Sequence, residues 1–324
     1  MRKATGGVTI LYRICAALCR RGLPAWLVPR ESGAWKPEVQ GLPEVPFAEL
    51  RLSPGDIWLV PEGWVNALAP GLQAQADCLV YVQNWAYLFS GLPHGVDWRS
   101  LPVRFLAVSR PVAWFVEQSL GRPADILRPS IDISAFAQAG PKPEKLTVAY
   151  MPRKNKALAE QIRAVFQARG AFEVTWREIA GLDQAGVAKV LAESHIFLAT
   201  GFPEGCPLPP LEAMAAGAVP VGFAGLGGWD YMRQARQPGF LPECPLEDVP
   251  WGPNGFYAAD GDVMGAVLGL EQACRLWRRG GARLGDILAA GRMTAAGYGL
   301  DAMDKAVMEL WHRPSQPQAG HQHP

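Results

Sequence analysis

The chain has 324 residues, of which 49% are hydrophobic and 19% charged, so it is long and apolar enough to form two globular domains. Lys and Arg number 31 against 30 Asp and Glu, and this net charge of +1 gives no reason to propose nucleic acid as a partner. The six cysteines lack Cys-x-x-Cys spacing, and no early apolar run suits a signal peptide or a membrane span. We therefore expect a cytoplasmic protein without a transmembrane segment, for which peripheral membrane contact stays open.

The first half of the chain contains short apolar runs that alternate with helical segments, the pattern of a parallel α/β domain. The first helix follows Gly6 and Gly7. The clearest helix begins after Ser109, which can cap it, has Pro111 in its first turn and ends at Gly121. Strands are predicted at residues 25–29, 56–62, 78–84, 104–109 and 124–130.

The same alternation begins again after a linker rich in Pro, Gly and Lys. Strands of this second half are predicted at residues 146–152, 172–176, 195–200 and 218–223. The pattern predicts two αβα domains of similar size that face each other across a cleft. The domain bounds are 1–130 and 131–295, followed by a helix that crosses back to the first domain over 296–312 and by a disordered polar tail at 313–324.

Two glutamates stand out in the apolar stretch "GFPEGCPLPPLEAMAAGAVPVGF". Glu204 and Glu212 have seven residues between them, and three prolines lie in that gap. Because proline belongs in loops or in the first turn of a helix, we place Glu204 on a loop and Glu212 on a helix. A pair of carboxylates supplies fixed hydrogen-bond acceptors for the hydroxyl groups of a polyol.

A cluster of basic residues follows the first strand of the second half, in "MPRKNK". It contains Arg153, Lys154 and Lys156. Ligands of such sheets bind beyond the carboxyl ends of the strands, so these side chains lie where an anion would bind. Gly6 and Gly7 precede the first helix in the same way, and paired glycines there let an anion approach the free backbone N–H groups.

Taken together, these features resemble the retaining GT-B glycosyltransferases, family 4 in particular. The sharpest likeness is "PEGCPLPPLEAMAAGAVPVG", which is similar to that family's signature of two glutamates seven residues apart. Weaker matches are the glycine pair, the basic cluster and "ILRPSIDISAF", in the family's order. The resemblance implies the GT-B fold with two Rossmann-like domains. It also implies transfer of a sugar, with retention of configuration, from a nucleotide diphosphate sugar to a glycan, lipid-linked or small-molecule acceptor in polysaccharide biosynthesis.

The resemblance also implies a role for each site residue, and it implies no metal and no other cofactor. Glu204 would contact the donor sugar, and Glu212 would accept hydrogen bonds from the ribose. Arg153 and Lys156 would hold the diphosphate, with Lys154 as the alternative to Lys156. The remaining donor-binding positions, acting mainly through their backbone, are Gly6, Gly7, Gly205, Cys206, Pro207 and Leu208.

Acceptor residues are predicted from their position after strands of the first domain. "PEGWVNAL" and "VQNWAYLFSGLPHG" both follow such strands. The candidates are Glu62, Trp64, Asn84, Trp85 and His94. Aromatic rings stack on sugar faces, although tryptophan is more often a core residue and a loop histidine is more often only solvated.

Other features of the sequence bear on three further functions. Asp260 and Asp262 have the Asp-x-Asp spacing by which GT-A enzymes chelate a divalent ion, but they immediately precede a helical stretch that such residues cap. In "GLGGWD", Asp230 stands where a dinucleotide-binding fingerprint needs its third glycine, which disfavours hydride transfer. A catalytically silent protein that binds sugar nucleotides or serves as an assembly partner stays open, and turnover would distinguish it from an enzyme.

The N-terminus departs from the pattern of the family. Only "MRKAT" precedes Gly6, and this segment is too short and too polar for a central buried strand. We therefore expect the native start to lie upstream, with about five to eight apolar residues ahead of the glycine pair.

Overall fold

A computed structural model of the chain describes residues 6–30, 41–137, 140–236 and 240–311, and the backbone of residues 2–3 and 35–36. Contacts divide the chain into two compact units, Met1–Arg51 with Asp301–Pro324 and Leu52–Leu300. The tail predicted at 313–324 lies outside the described residues. The domain bounds and the upstream start predicted from the sequence stay predictions.

The described residues of the smaller unit form two short strands and two long helices. Strand β1 (Arg2–Lys3) pairs in parallel with β2 (Trp35–Lys36). Helix α1 (Gly6–Arg20) begins at the glycine pair, as predicted, and a 3₁₀ helix covers Phe47–Glu49. Helix α10 (Leu300–Trp311) contributes Asp304, whose Oδ2 lies 2.6 Å from Nη2 of Arg20.

The strand predicted at residues 25–29 is wrong. Only Leu27 forms an isolated bridge there, with Glu44, and the side chain of Trp26 is 55% exposed. Proline has no backbone N–H to donate to a sheet; Pro24 directly precedes this segment and Pro29 is its last residue. The apolar residues of this segment therefore do not form a strand of a β-sheet.

The N-terminal sheet of the larger unit is parallel, with the order β3-β4-β5-β6. Its strands are β3 (Ile57–Pro61), β4 (Asp77–Val82), β5 (Val103–Ala107) and β6 (Ala124–Ile126), all at predicted positions. Between them lie α2 (Ala69–Gln73), α3 (Arg110–Leu120) and 3₁₀ helices at Val65–Leu68 and Trp85–Tyr87. The ends predicted for α3 are confirmed, since Ser109 accepts from the N–H of Val112 and Gly121 has a φ of +65°.

The C-terminal sheet is also parallel, with the order β11-β10-β9-β7-β8. Its strands are β7 (Thr147–Tyr150), β8 (Thr175–Glu178), β9 (Ile196–Ala199), β10 (Val219–Phe223) and β11 (Phe256–Ala258). Strand β8 begins three residues after the start predicted for it (175 against 172), and β11 was missed. The helices are α4 (Ile133–Phe136), α5 (Lys156–Arg169), α6 (Gln184–Ala192), α7 (Leu208–Ala215), α8 (Val263–Arg279) and α9 (Ala282–Ala296), with a 3₁₀ helix at Gly227–Asp230.

Both faces of the C-terminal sheet are buried at its central strands β7, β9 and β10, as expected for a parallel sheet between helices. On β9, Ile196 and Leu198 belong to the core that includes α5 and α8, whereas Phe197 and Ala199 belong to the core that includes α6 and α7. The chain runs outward from β7 to β8 and then returns to the other side of β7 as β9. The carboxyl ends of β7 and β9 therefore border the crevice in which parallel α/β sheets bind ligands.

The helices of the described ranges include none with the length and apolarity needed to cross a bilayer. All six cysteines are free thiols.

A buried histidine at the start of β9 predicts acid sensitivity. His195 is 5% exposed, its Nδ1 accepts a hydrogen bond from the N–H of Thr147 at 3.1 Å, and its ring contacts Trp277 edge-on. Burial, with a smaller effect from the charge of Lys142, lowers the pKa of His195 to about 4. The unfolded chain binds this proton near pH 6.5, so stability is complete above about pH 6.5 and is lost as the pH falls towards 4.

We expect this histidine to account for about 2–3 kcal/mol of the stability lost between pH 7.5 and 4.5. Urea unfolding of wild type and His195→Asn at both pH values measures it, because the variant should lose that much less on acidification. The exposed His94 provides the control variant His94→Asn. An equal acid loss in wild type and His195→Asn would contradict the prediction.

Candidate active site

Glu204 and Glu212 lie where the prolines predict them. Glu204 is in the loop between β9 and α7, and Glu212 is a partly buried residue of α7. The N–H of Glu204 donates to the carbonyl of Gly225 at 3.0 Å, and the N–H of Gly227 donates to the carbonyl of Glu204 at 3.0 Å. These two bonds fix the Glu204 backbone against the loop that follows β10, while its side chain stays 24% exposed.

Lys154 contacts Glu204 at the switch point of the C-terminal sheet. Its Nζ lies 2.8 Å from Oε1 of Glu204 and donates to the carbonyl of Pro203 at 3.1 Å. The next residue, Asn155, has a φ of +56°, and its Nδ2 donates to the carbonyls of Thr200 and Phe202, each at 2.9 Å. The loops after β7 and β9 are thus tied together, and they hold a cation and a carboxylate side by side.

The other two basic residues of the cluster lie on the surface. Arg153 is exposed in the turn after β7, and within the described ranges it forms no hydrogen bond or ion pair. Lys156 is the first residue of α5, is 65% exposed and lies 3.7 Å from Glu160 on the same helix. Of the two lysines left open by the sequence, Lys154 is therefore the one that contacts Glu204.

Residues 206–208 lead from the Glu204 loop into α7. Burial raises the pKa of the Cys206 thiol well above its usual value, and the charge of Asp230 raises it further, so the thiol stays protonated and is a poor nucleophile. Pro207 occupies the N-cap position of α7 without a capping side-chain hydrogen bond, and its carbonyl accepts from the hydroxyl of Tyr231 at 2.5 Å. Leu208 is the first helical residue. Contact of these residues with a donor stays a prediction.

Gly205 is a point of close approach between the two sheets of the larger unit. A Cβ added there would lie 2.0 Å from the carbonyl oxygen of Gln83, which follows β4. The hydroxyl of Ser109, which follows β5, donates to the carbonyl of Gly205 at 2.6 Å. Only glycine fits at this contact, so the residue has a structural reason besides the donor contact predicted for it.

Two side chains of the loop after β4 form hydrogen bonds to the Glu204 loop and to the loop after β10. The sequence predicted both of them to face the acceptor. Nδ2 of Asn84 donates to the carbonyl of Pro203 at 3.0 Å, and Nε1 of Trp85 donates to the carbonyl of Gly225 at 3.1 Å. The carboxyl ends of both sheets therefore meet at Glu204.

The other acceptor candidates differ in exposure. Glu62 is 4% exposed, and its two carboxylate oxygens accept the N–H groups of Gln83 and Asn84 at 3.0 and 2.9 Å. Burial raises its pKa, although these hydrogen bonds oppose the shift. This position favours a role in holding the loop after β4. Trp64, at 49% exposure, and the exposed His94 are accessible to an acceptor.

An ion pair between the buried Asp230 and the partly exposed Arg128 joins the two sheets, and the sequence did not predict it. The Asp230 carboxylate is fully buried and lies 2.7 Å from Nε of Arg128, which follows β6. It also accepts two further hydrogen bonds. One comes from the backbone N–H of Arg110, the first residue of α3, at 2.9 Å, and the other from the hydroxyl of Tyr298, which follows α9. An aspartate in the apolar run "GFAGLGGWDYM" and an arginine in "ILRPS" were the available signals, but neither indicates its partner.

The carboxylates of Asp260 and Asp262 both accept hydrogen bonds from backbone N–H groups. Asp262 caps α8 by accepting from the N–H of Gly265 at 2.8 Å, as predicted, and Asp260 accepts from the N–H of Gly225 at 2.9 Å. Within the part of the chain that the structure describes, no three His, Cys, Asp or Glu residues cluster as metal ligands would.

Comparison with known proteins gives a distant relative by sequence. The sequence matches no protein-family profile. Over 183 residues, 55% of this chain, it is 28% identical to an α-1,6-glucosyltransferase of Actinobacillus pleuropneumoniae serotype 7. The match also covers 55% of that protein, so the aligned region spans about half the length of the curated relative.

Solved structures resemble the whole chain. A glycosyltransferase from Rickettsia africae is 12% identical with a TM-score of 0.66, and 96% of each chain is covered. Anabaena HepE, solved with UDP and glucose, is 12% identical with a TM-score of 0.64, over 96% of this chain and 97% of its own. WaaG, a glycosyltransferase of lipopolysaccharide biosynthesis, is 11% identical with a TM-score of 0.60, over 97% and 99%. The fold is GT-B.

The GT-B fold confirms the two parallel α/β domains predicted from the sequence. At these identities, the likeness concerns the fold and not the site residues. Within the GT-B chain, contacts bring Lys154 to Glu204, and they bring Asn84 and Trp85 to the backbone beside it. Gly6 and Gly7 belong to the smaller unit, where their contact with a donor stays a prediction.

Proposed function

We propose that this chain is a retaining glycosyltransferase of the family 4 type, which moves a sugar from a nucleotide diphosphate sugar to a glycan, lipid-linked or small-molecule acceptor. The observation that carries the proposal is the Lys154–Glu204 pair, 2.8 Å apart at the switch point of a GT-B fold. The sequence likeness to a glucosyltransferase supports the same activity.

The charges of the pair suit the two parts of such a donor. Glu204 supplies acceptor oxygens for sugar hydroxyls, and the Lys154 ammonium supplies a positive charge for the neighbouring diphosphate. The exposed Arg153 guanidinium adds a second cation on the same loop. When the bond between the anomeric carbon and the diphosphate breaks, negative charge grows on the leaving oxygen, and fixed cations stabilise it.

The acceptor hydroxyl then forms its bond to the anomeric carbon on the face that the diphosphate leaves. Its proton passes to the departing phosphate, so the bond made, the bond broken and the proton balance without a protein nucleophile. Cys206, the thiol nearest in sequence to Glu204, is held protonated by burial. Glu212 on α7 is assigned to the ribose hydroxyls, and the exposed Trp64 and His94 to the acceptor.

A glucosyl donor is the first to test, because the relative is named a glucosyltransferase and HepE was solved with UDP and glucose. Calorimetry against uridine, guanosine and adenosine diphosphates identifies the base, and turnover of the matching nucleotide glucose follows. The proposal expects one preferred diphosphate together with slow hydrolysis or transfer of its sugar. Tight binding without any turnover would instead support the silent binding partner.

Metal removal should leave the activity intact. If Lys154 and Arg153 provide the positive charge that the diphosphate needs, EDTA is expected to change the turnover rate less than two-fold. Turnover before and after addition of EDTA, and then of manganese in excess, measures this. An activity that EDTA abolishes and manganese restores would return Asp260 and Asp262 to first place.

A further inference from the structure

Two backbone carbonyls flank Glu204, and each accepts a side chain from the N-terminal sheet. The first is the carbonyl of Pro203, directly before Glu204. It accepts Nδ2 of Asn84 at 3.0 Å and Nζ of Lys154 at 3.1 Å. The same lysine lies 2.8 Å from the Glu204 carboxylate, so Asn84 shares an acceptor with the cation of the proposed donor site.

The second is the carbonyl of Gly225, in the loop after β10. It accepts the backbone N–H of Glu204 at 3.0 Å and Nε1 of Trp85 at 3.1 Å. Two consecutive residues of one loop thus donate to the two carbonyls that hold the position of Glu204.

Both donors are fixed by contacts on their own side. Asn84 is 7% exposed, its Oδ1 accepts the N–H of Ala86 at 3.1 Å, and its backbone N–H donates to the buried Glu62. The ring of Trp85 packs on Phe115 with centroids 5.4 Å apart. These contacts within the N-terminal half fix both side chains. Their hydrogen bonds therefore restrict the position of the Glu204 loop.

We propose that Asn84 and Trp85 are positioning residues, which hold Glu204 in its working geometry through the carbonyls of Pro203 and Gly225. This inference rests on the proposed function and replaces the acceptor contact expected of these two residues from the sequence. A reacting group displaced by about 1 Å loses much of its rate, so a weakened hold on Glu204 lowers the rate of every reaction of the donor sugar.

Hydrolysis by water separates positioning from acceptor binding. A residue that binds the acceptor raises the KM for the acceptor when it is replaced, and donor hydrolysis continues unchanged. A residue that positions Glu204 lowers kcat for transfer and for hydrolysis by the same factor. Affinity for the nucleoside diphosphate stays constant, because that ligand lacks the sugar.

Two substitutions remove one donor each and keep the remaining contacts. Trp85→Phe keeps the aromatic packing on Phe115 and removes Nε1, and Asn84→Asp keeps the oxygen that caps Ala86 and removes Nδ2. Trp58→Phe is the matched control. Nε1 of Trp58 also donates to a backbone carbonyl, that of Ala67 at 2.7 Å, but this bond joins two segments of the N-terminal half and does not reach the Glu204 loop.

We expect Trp85→Phe to slow transfer and hydrolysis together by about three- to ten-fold, and Asn84→Asp by about ten-fold or more, because its carboxylate faces a carbonyl oxygen. Calorimetry with the preferred diphosphate should give wild-type affinity for Trp85→Phe, whereas the carboxylate of Asn84→Asp lies beside Lys154, which shares the Pro203 carbonyl, and lowers that affinity as well. Trp58→Phe should retain wild-type rates.

Wild-type rates in Trp85→Phe, or a raised acceptor KM with unchanged hydrolysis, would overturn the inference and leave the proposed function standing. If Asn84→Asp does not fold, Trp85→Phe decides alone. A wild-type protein that neither transfers nor hydrolyses any nucleotide sugar would instead overturn the proposed function, and this inference with it.

Discussion

Glu204→Gln is expected to lower turnover of the nucleotide sugar by about 10²-fold, while the Kd for the nucleoside diphosphate stays within a few-fold of wild type. Glutamine keeps the size of the side chain but lacks the negative charge. It therefore accepts weaker hydrogen bonds from sugar hydroxyls and loses the ion pair with Lys154, whose Nζ lies 2.8 Å from Oε1 of Glu204. Hydrogen bonds to a charged group contribute about 1.5–3 kcal/mol, which corresponds to about 10- to 150-fold in rate. Steady-state turnover and calorimetry with the preferred diphosphate measure the two quantities.

Glu212→Gln is the matched comparison, because it makes the same chemical change on α7. Glu212 is assigned to the ribose, so its replacement should weaken the Kd for the nucleoside diphosphate by about 10- to 150-fold. Loss of the same property in both variants would show that the two carboxylates do not have separate roles.

Asp230→Ala should reduce the free energy of unfolding by about 2–4 kcal/mol, because it removes a fully buried carboxylate and leaves buried donors without their acceptor, whereas its partner Arg128 is 38% exposed and can be hydrated. The Asp230 carboxylate is fully buried and receives hydrogen bonds from Arg128, from the backbone of Arg110 and from Tyr298. Alanine would leave these donors without their acceptor and would weaken the contact of β6 and α3 with the C-terminal sheet. Urea unfolding monitored by tryptophan fluorescence measures the change.

The pair of Asp77 and Arg104 provides the control for burial. Asp77 Oδ2 lies 2.5 Å from Nη2 of Arg104, but the side chains are 22% and 32% exposed, and both belong to the N-terminal sheet. Asp77→Ala should cost about 1 kcal/mol, because the Asp77 carboxylate is partly exposed to water, unlike that of Asp230. An Asp230→Ala loss no larger than this would contradict the importance assigned to the buried carboxylate.

The sequence predicts the long elements of the fold better than the edges of its sheets. The cap at Ser109 and the end at Gly121 are local signals, and both bounds of α3 are confirmed. Residues 25–29 have the composition of a strand, but only Leu27 forms a bridge, because Pro24 precedes the segment and Pro29 ends it. Strand β11 has three residues, too few to show a periodicity.

At the site, too, local sequence signals predict the positions of some residues correctly and leave others undetermined. Spacing and proline content place Glu204 and Glu212, but they do not distinguish Lys154 from Lys156. That choice depends on the left-handed turn at Asn155, with a φ of +56°, which Asn adopts more readily than most residues. Asn84, Trp85 and Ser109 bond to backbone carbonyls, which every residue has, so sequence alone gives no indication of their partners.

Retention of configuration and the role of Glu204 can be tested together by proton NMR of the anomeric signals during turnover. Uridine diphosphate glucose, or the glucose derivative of whichever diphosphate binds, is incubated with a gluco-oligosaccharide and with wild type or Glu204→Gln. With wild type, we expect the α-anomeric donor signal to decline while a new α-linked product signal appears; with Glu204→Gln, the same change should be about 10²-fold slower. A β-linked product, or equal rates for the two proteins, would contradict this expectation.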